Sequence, residues 1–167
     1  IDRSLVGSEM CIRDRDHAAW TVLSVIYPQA DVPVVQLSMD ASKPISWHYE
    51  LGRALRPLRE EGFLILGSGN VVHTLAQMEW DINARPHDWA QRFNDLVIDV
   101  VETNTPERLF NHQALGRDAA LSIPPPDLGH YWPLFYVLGA RHPDDKLTMN
   151  PKHVQYKSLS MLSFVLD

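Results

Sequence analysis

The sequence predicts an α/β fold, with a mostly parallel sheet flanked by helices. Residues 62–66 (Gly-Phe-Leu-Ile-Leu) form a short apolar run bounded by glycine, which is typical of a strand buried on both faces. A second apolar run lies at residues 33–39, and the segment between the two runs has a helical pattern. A strand, helix and strand in this order form a right-handed parallel crossover.

Composition limits the classes of protein to consider. The 167 residues, 45% hydrophobic and 22% charged, suffice for one globular domain. A net charge of -6 without any basic run argues against a nucleic-acid partner. No stretch reaches the roughly 20 apolar residues of a membrane-spanning helix. The single cysteine, Cys11, excludes an internal disulfide and fits the cytoplasm. We therefore expect a cytoplasmic protein without a membrane or nucleic-acid partner.

The first fifteen residues differ from the rest of the chain. Residues 1–15 show neither a helical nor a strand period, and residues 4–15 resemble a translated adapter or assembly junction. We predict that residues 1–15 are an artefact or a disordered arm and that the domain spans residues 16–167. A genuine N-terminal arm remains the alternative.

Regular elements are predicted from residue 16 onward. Residues 18–26 read as a helix that Tyr27 and Pro28 end. The strand at 33–39 and a polar loop at 40–44 follow. The next helix carries apolar residues at helical spacing, and it leads to the strand at 62–66. These apolar residues are Trp47, Leu51, Ala54, Leu55 and Leu58.

The second half of the chain is predicted to be mainly helical. In residues 88–101 apolar side chains recur at three- and four-residue steps, which indicates an amphipathic helix. Asp88 is its cap or first-turn acid. A short helix begins at Thr105 and Pro106. Residues 130–140 are apolar nearly all round, so we expect a buried helix with its proline in the first turn. Residues 158–166 read as a final strand.

A glycine-rich turn, Gly67-Ser68-Gly69-Asn70, follows the strand at 62–66. In open α/β sheets, ligands bind at the carboxyl ends of the strands. We therefore expect the two glycines to let the backbone approach a bound group, and His73 to emerge at that edge. The plain alternative is a common glycine turn with a polar histidine nearby.

The eight histidines fall into three groups by context. Four sit among prolines, asparagines and charges and are predicted on the surface: His87, His112, His142 and His153. His48 lies one position from a buried helical stripe, so we place it at the edge of the core. His17, His73 and His130 each open an apolar segment next to a turn. These three predict a histidine-lined site suited to iron, zinc or manganese, although a structural histidine is the alternative for each.

Several blocks of the chain together resemble one enzyme family. They are Asp16-His17-Ala18-Ala19-Trp20, residues 33–44, Ser68-Gly69-Asn70-Val71-Val72-His73, His130-Tyr131-Trp132-Pro133-Leu134 and Ser158-Leu159-Ser160-Met161. In this order they resemble the class III extradiol ring-cleavage dioxygenases, in the bacterial branch related to DOPA 4,5-extradiol dioxygenase.

The resemblance implies a reaction and roles for four residues. The family uses non-haem Fe(II), sometimes found as zinc, to open catechol-type (DOPA-like) rings with O₂. By the family pattern His130 is a metal ligand, and His73 is either a ligand or the acid/base that moves protons during the reaction. His17 would hydrogen-bond substrate or bound oxygen, as a catalytic and substrate-binding residue. Asn70 would contact substrate or orient His17 or a ligand.

One departure from the family pattern limits these expectations. Two further histidine ligands of the family, in a His-Gly-Ser-Pro-like and a Ser-Ala-His-Trp-like turn, have no counterpart here. We therefore expect a C-terminal fragment that lacks the N-terminal part of the domain and is inactive alone. Two alternatives stay open, a metal-dependent hydrolase and a catalytically silent binding module. The hydrolase is disfavoured because no Gly-x-Ser-x-Gly elbow occurs.

Overall fold

A computed structural model describes residues 17–125 and 128–167, with side chains from residue 20 onward. The chain divides into two compact units, one ending at Met39 and one spanning Asp40 to Asp167. The predicted α/β class is confirmed, because helices and small sheets are both present. The prediction for residues 1–15 lies outside the described residues. No helix in the described part of the chain combines the length and the apolar character needed to cross a bilayer.

The described elements follow the chain in this order. The α-helices are α1 (His17–Ile26), α2 (Ile45–Leu55), α3 (Asp88–Thr103), α4 (Arg117–Ser122) and α5 (Pro133–Gly139). Short 3-10 helices span Arg56–Arg59, Leu75–Gln77, Pro106–Leu109 and His112–Leu115. The strands are β1 (Leu147–Met149), β2 (Val154–Gln155), β3 (Leu159–Ser160) and β4 (Phe164–Leu166). Each predicted helix is confirmed, with small shifts in its ends.

The first unit contains α1 and an extended segment. After α1, Ala30 adopts a left-handed conformation with φ of 52° and turns the chain. Residues 33–39 are extended but form no strand, so the strand predicted there is wrong for this structure. A strand needs a hydrogen-bonded neighbour, and the apolar side chains of this run, such as Val35 at 89% exposure, are largely in solvent.

The strands of the second unit pair in two antiparallel ribbons. Strand β1 pairs with β4, and β2 pairs with β3. Within the described residues no two strands pair in parallel. The single strand predicted at 158–166 is interrupted because its two ends have different partners. At the interruption the Leu162 amide donates to Ser160 Oγ over 3.1 Å, which turns the chain.

The apolar run at residues 62–66 is extended but forms no β-ladder with a described strand. Phe63 and Leu64 are 54% and 63% exposed. The prediction of a buried strand here is therefore wrong for this structure. The apolar sequence of residues 62–66 shows only that their side chains are hydrophobic. Burying such a strand requires neighbouring segments on both of its faces, and the described residues of the second unit do not cover it.

The core of the second unit forms around α5, most of which is buried, and the apolar face of α3. Its largest fully buried apolar side chains are Val72, Phe93, Val97, Val100, Val101, Leu109, Ile123, Tyr131, Phe135 and Leu138. Helix α2 packs directly against α5. A Cβ atom at Gly52 would overlap the carbonyl oxygen of Tyr136, and one at Gly139 would overlap that of Tyr49. The two glycines therefore set the close approach of these helices.

Candidate functional site

Two of the three predicted site histidines meet. The rings of His73 and His130 stack with centroids 4.0 Å apart and planes 26° apart. They line one cleft of about 230 Å³ together with Leu75, Ile123 and Pro124. This cleft has two imidazoles on one side and an apolar wall beside them, an arrangement that suits a small aromatic ligand.

The backbone around His73 is fixed on two sides. The His73 amide donates to Ser122 O over 2.7 Å at the end of α4. On the other side His73 forms an isolated antiparallel bridge with Leu159, and the Ser160 amide donates to Val72 O over 3.0 Å. Val72 is fully buried. A helix end and β3 therefore hold the histidine at the cleft.

A pair of buried hydroxyl residues next to His73 reinforces this contact. The Thr74 amide donates to Ser158 O over 3.2 Å, and Ser158 Oγ donates to Thr74 O over 2.8 Å. Thr74 Oγ1 also donates to Leu121 O. Sequence reasoning did not identify Thr74 or Ser158 as supports. Their polar side chains next to apolar residues could have indicated buried hydrogen bonds.

Asn70 links the two histidine segments. Its backbone amide donates to His130 O over 2.6 Å, and its side-chain Oδ1 accepts from the Val72 backbone amide over 3.1 Å. The turn that carries His130 closes separately, because the Tyr131 and Trp132 amides both donate to Leu128 O. Asn70 therefore orients His130 through the backbone.

The glycines of the 67–70 turn have a different use from the predicted one. A Cβ atom at Gly69 would overlap His130 O, and one at Gly67 would lie 2.8 Å from Pro133 O. The expectation that they make room for a bound group is wrong. They make room for the start of α5, which brings the His73 segment against the His130 turn.

The third predicted site residue, His17, is the first residue of α1 in the first unit. Its side chain is outside the described part of the structure. Its roles in catalysis and substrate binding therefore stay predictions.

His48 is fully buried, not at the edge of the core as predicted. Its Nδ1 lies 2.8 Å from Tyr136 Oη, and its ring stacks on Trp132 at 4.9 Å. Burial lowers the pKa of His48. The buried face of α2 consists of Ile45, His48 and Gly52, one position away from the predicted stripe. Gly52, as a marker of close helix packing, could have revealed this face.

His112 is also buried, at 3% exposure, so its predicted surface position is wrong. Its ring lies edge-on to Tyr131 at 5.5 Å and to Phe93 at 6.2 Å. Burial lowers the pKa of His112. The other three histidines of that group are exposed or half-buried.

A second cleft of about 250 Å³ was not predicted. Its lining residues are Gln77, Met78, Glu79, His87 and Lys157. Lys157 Nζ lies 2.5 Å from Glu79 Oε2, so the charges of the cleft are already paired. His87 Nε2 lies 3.1 Å from Gln77 O. This cleft offers fewer groups to a ligand than the His73–His130 cleft does.

The described residues do not by themselves fit a complete catalytic metal centre. His73 and His130 offer two imidazole donors, and no cluster of three or more histidine, cysteine, aspartate or glutamate side chains occurs in the described part of the chain. Catalytic metal sites typically use three protein ligands and keep one position open. The pair is therefore a partial donor set.

Comparison with known proteins decides the family. The model of the catalytic LigB subunit of aromatic ring-opening dioxygenase matches residues 1–166. The chain belongs to the LigB family. This membership confirms the resemblance found in the sequence.

Two named relatives and one solved structure are similar to this LigB-family chain. The 4,5-DOPA dioxygenase extradiol of Escherichia coli (strain K12) is 42% identical over 89% of this chain and 55% of its own length. The protein of that name from Beta vulgaris is 33% identical, over 80% and 49%. The crystal structure of the uncharacterized protein JW3007 from Escherichia coli K12 matches with a TM-score of 0.77 at 41% identity, over 87% of this chain and 59% of that chain. The chain spans about half the length of the curated relatives.

Proposed function

We propose that a protein of full family length containing this chain is an extradiol dioxygenase that opens catechol-type (DOPA-like) aromatic rings with O₂. Family membership and the relatives named 4,5-DOPA dioxygenase extradiol support this reaction. The observation that carries the proposal is the stacked His73–His130 pair in a cleft with an apolar wall.

In this proposal His73 is the acid/base and His130 a metal ligand. A neutral imidazole titrates near working pH and can take the proton from a catechol hydroxyl oxygen. His73 is suited to this because two elements fix its backbone, as described above. His17 and Asn70 remain proposed contacts to the substrate. The metal, Fe(II) or zinc, would require two more protein ligands from outside the described residues, because His130 alone remains as a ligand when His73 is the acid/base.

The apolar wall supplies binding for the ring. Leu75, Ile123 and Pro124 can pack against the flat face of an aromatic molecule, while the imidazoles face its hydroxyl groups. In this proposal the chain therefore contacts the aromatic ring of the substrate and its two hydroxyl groups.

We also propose that the two unpaired apolar runs, 33–39 and 62–66, are strands of a parallel sheet in the full-length protein. Val35 and Leu64 are 89% and 63% exposed, and such unpaired apolar segments favour aggregation. The greater length of the relatives leaves room for strands that would pair with them. Residues 16–167 would then be the C-terminal part of one domain. We propose separately that this domain is cytoplasmic.

Ring opening by the longer protein tests the function. We expect an Fe(II)-dependent yellow product from catechols and a loss of about 10²-fold or more in kcat for His73→Gln, because general acid–base catalysis contributes that much. His130→Gln should lose bound metal as well as activity. His153→Gln, an exposed histidine outside the cleft, is the matched control and should keep both. A His73→Gln variant as active as the parent would contradict the proposal, and no ring opening by the parent would favour a silent binding module.

A further inference from the structure

The buried histidine of α2, His48, is not explained by the proposed reaction. It contacts Trp132, which lies just before α5, and Tyr136, which lies within α5. Its ring stacks on Trp132 with planes 20° apart, and its Nδ1 lies 2.8 Å from Tyr136 Oη. It is fully buried.

An imidazole at this place has a cost that an apolar side chain would avoid. Burying a polar group without a full set of hydrogen bonds is unfavourable. His48 Nε2 is buried and makes no well-formed hydrogen bond to a described residue, although the Lys43 backbone interacts with the ring. A leucine or phenylalanine would fill the same space without this penalty, so packing alone does not explain a histidine here.

The position of Trp132 connects His48 to the cleft. Trp132 follows His130 by two residues, and its amide helps to close the turn on Leu128 O. Trp132 is 9% exposed, and its ring stacks on that of His48. Trp132 and His130 therefore lie in the same short turn, which the Tyr131 and Trp132 amides close on Leu128 O.

We propose that His48 is a positioning residue for the His73–His130 pair. The contact with Tyr136 fixes the plane of the His48 ring, and that plane sets the orientation of Trp132. Trp132 in turn holds the 128–132 turn so that His130 stacks on His73. The consequence for catalysis rests on the proposed function, whereas the geometric claim does not.

The plain alternative is that His48 only joins α2 to α5. The two helices already approach closely at Gly52 and Gly139, so their contact does not depend on His48 alone. The alternatives differ in what a substitution does to the histidine pair. A residue that only joins helices changes stability, whereas a positioning residue changes the distance between the two rings.

Nuclear Overhauser contacts between the ring protons of His73 and His130 measure that distance in the 167-residue chain. We expect the contact to be lost in His48→Leu and weakened in His48→Phe, which retains a ring to stack on Trp132 but has no nitrogen to hold that ring against Tyr136. His48→Gln, which keeps a polar group for Tyr136 but no ring, should also lose it, and it provides the test if the leucine variant does not fold.

Tyr49→Leu is the matched control. Tyr49 is the next residue on α2, and its ring packs 5.3 Å from Phe110 instead of on Trp132. This variant should lower the melting temperature yet keep the His73–His130 contact. The proposal is overturned if the folded His48→Leu and His48→Gln variants keep the contact, or if Tyr49→Leu loses it equally.

Kinetics of the longer protein give a separate readout. His48→Leu should lower kcat about tenfold or more with little change in KM, because a shift of about 1 Å in a catalytic group costs up to 10²-fold. If the parent opens no ring, the proposed function fails, and the Overhauser result alone decides the role of His48. Unchanged kcat in an active enzyme would overturn the catalytic part of the inference.

Discussion

The two buried histidines should make stability depend on pH. Burial lowers the pKa of His48 and His112 from the ordinary value of 6.5. The unfolded chain therefore binds protons below about pH 6.5 that the folded chain does not, so their contribution is complete above that pH and is lost as pH falls. Urea unfolding at pH values from about 8 down to 5 should show decreasing stability, with a shallower decrease for His112→Phe. Stability that stays constant or rises over this range would contradict the burial of these rings.

The buried hydroxyl of Tyr131 should be dispensable for stability. Tyr131 is fully buried, and its hydroxyl has no hydrogen-bond partner among the described residues. Removing an unpaired buried polar group relieves a penalty of about 1–3 kcal/mol, so Tyr131→Phe should keep or raise the free energy of unfolding. The matched control is Tyr136→Phe, which removes the hydroxyl next to His48 and should cost about 1 kcal/mol. The reverse order of the two variants in chemical denaturation would show that Tyr131 has a partner.

The sequence could predict the His73–His130 pair but not the buried histidines. His73 and His130 each follow a turn and open an apolar segment. This pattern lies within a few residues of each histidine, so it was sufficient to identify both of them. For His112 the neighbouring sequence is polar, yet Phe93 and Tyr131, distant in the chain, cover it. Burial by residues far along the chain leaves no local pattern to read.

The 3-10 helix Arg56–Arg59, which follows α2, is tied to the C-terminal part of the chain by one arginine. Arg59 donates to Asp145 through both terminal nitrogens, at 2.6 and 3.0 Å, and also to Ala140 O and Leu166 O. Both side chains are mostly buried, at 20% and 7% exposure. Burial alone would raise the pKa of Asp145, but hydrogen bonds from Arg59 and the His142 amide lower it overall.

Removing Arg59 should therefore destabilise the fold strongly. Arg59→Gln leaves the Asp145 carboxylate buried without its main partner, and losing one partner of a buried ion pair costs about 3–5 kcal/mol. Arg53→Gln breaks the exposed Arg53–Glu50 pair on α2, at 53% and 59% exposure, and should cost under about 1 kcal/mol. Denaturant melts of the two variants compare them directly. If both variants lost the same free energy of unfolding, the buried Arg59–Asp145 pair would contribute no more to stability than the exposed Arg53–Glu50 pair.

Helices were predicted well and strands poorly, for a physical reason. Helix α3 has internal hydrogen bonds and an apolar face that recurs within its own sequence, so its pattern is sufficient. A strand depends on a neighbour elsewhere in the chain. The run at 62–66 lacks one here, and the predicted strand at 158–166 changes partner between β3 and β4.

For the molecule as a whole, the second unit carries the cleft. Helix α5, the end of α4 and strand β3 all converge on the residues that hold His73 and His130. Three of the five motif blocks, residues 68–73, 130–134 and 158–161, contain residues that converge here, and this helps to explain why the family could be inferred from motifs. The route by which they converge, through Asn70, Ser122 and Trp132, could not be inferred, because it consists of contacts between segments far apart in the sequence.

The most direct test of the account is where a catechol binds. The probe is 4-nitrocatechol, added to the longer protein while the ring resonances of each histidine are followed by NMR. Shifts confined to His73, His130, residues of their apolar wall and the proposed substrate contacts His17 and Asn70, with His153 unchanged, are the expected result. Shifts centred on His87 and the Lys157 cleft, with His73 and His130 unaffected, would contradict it.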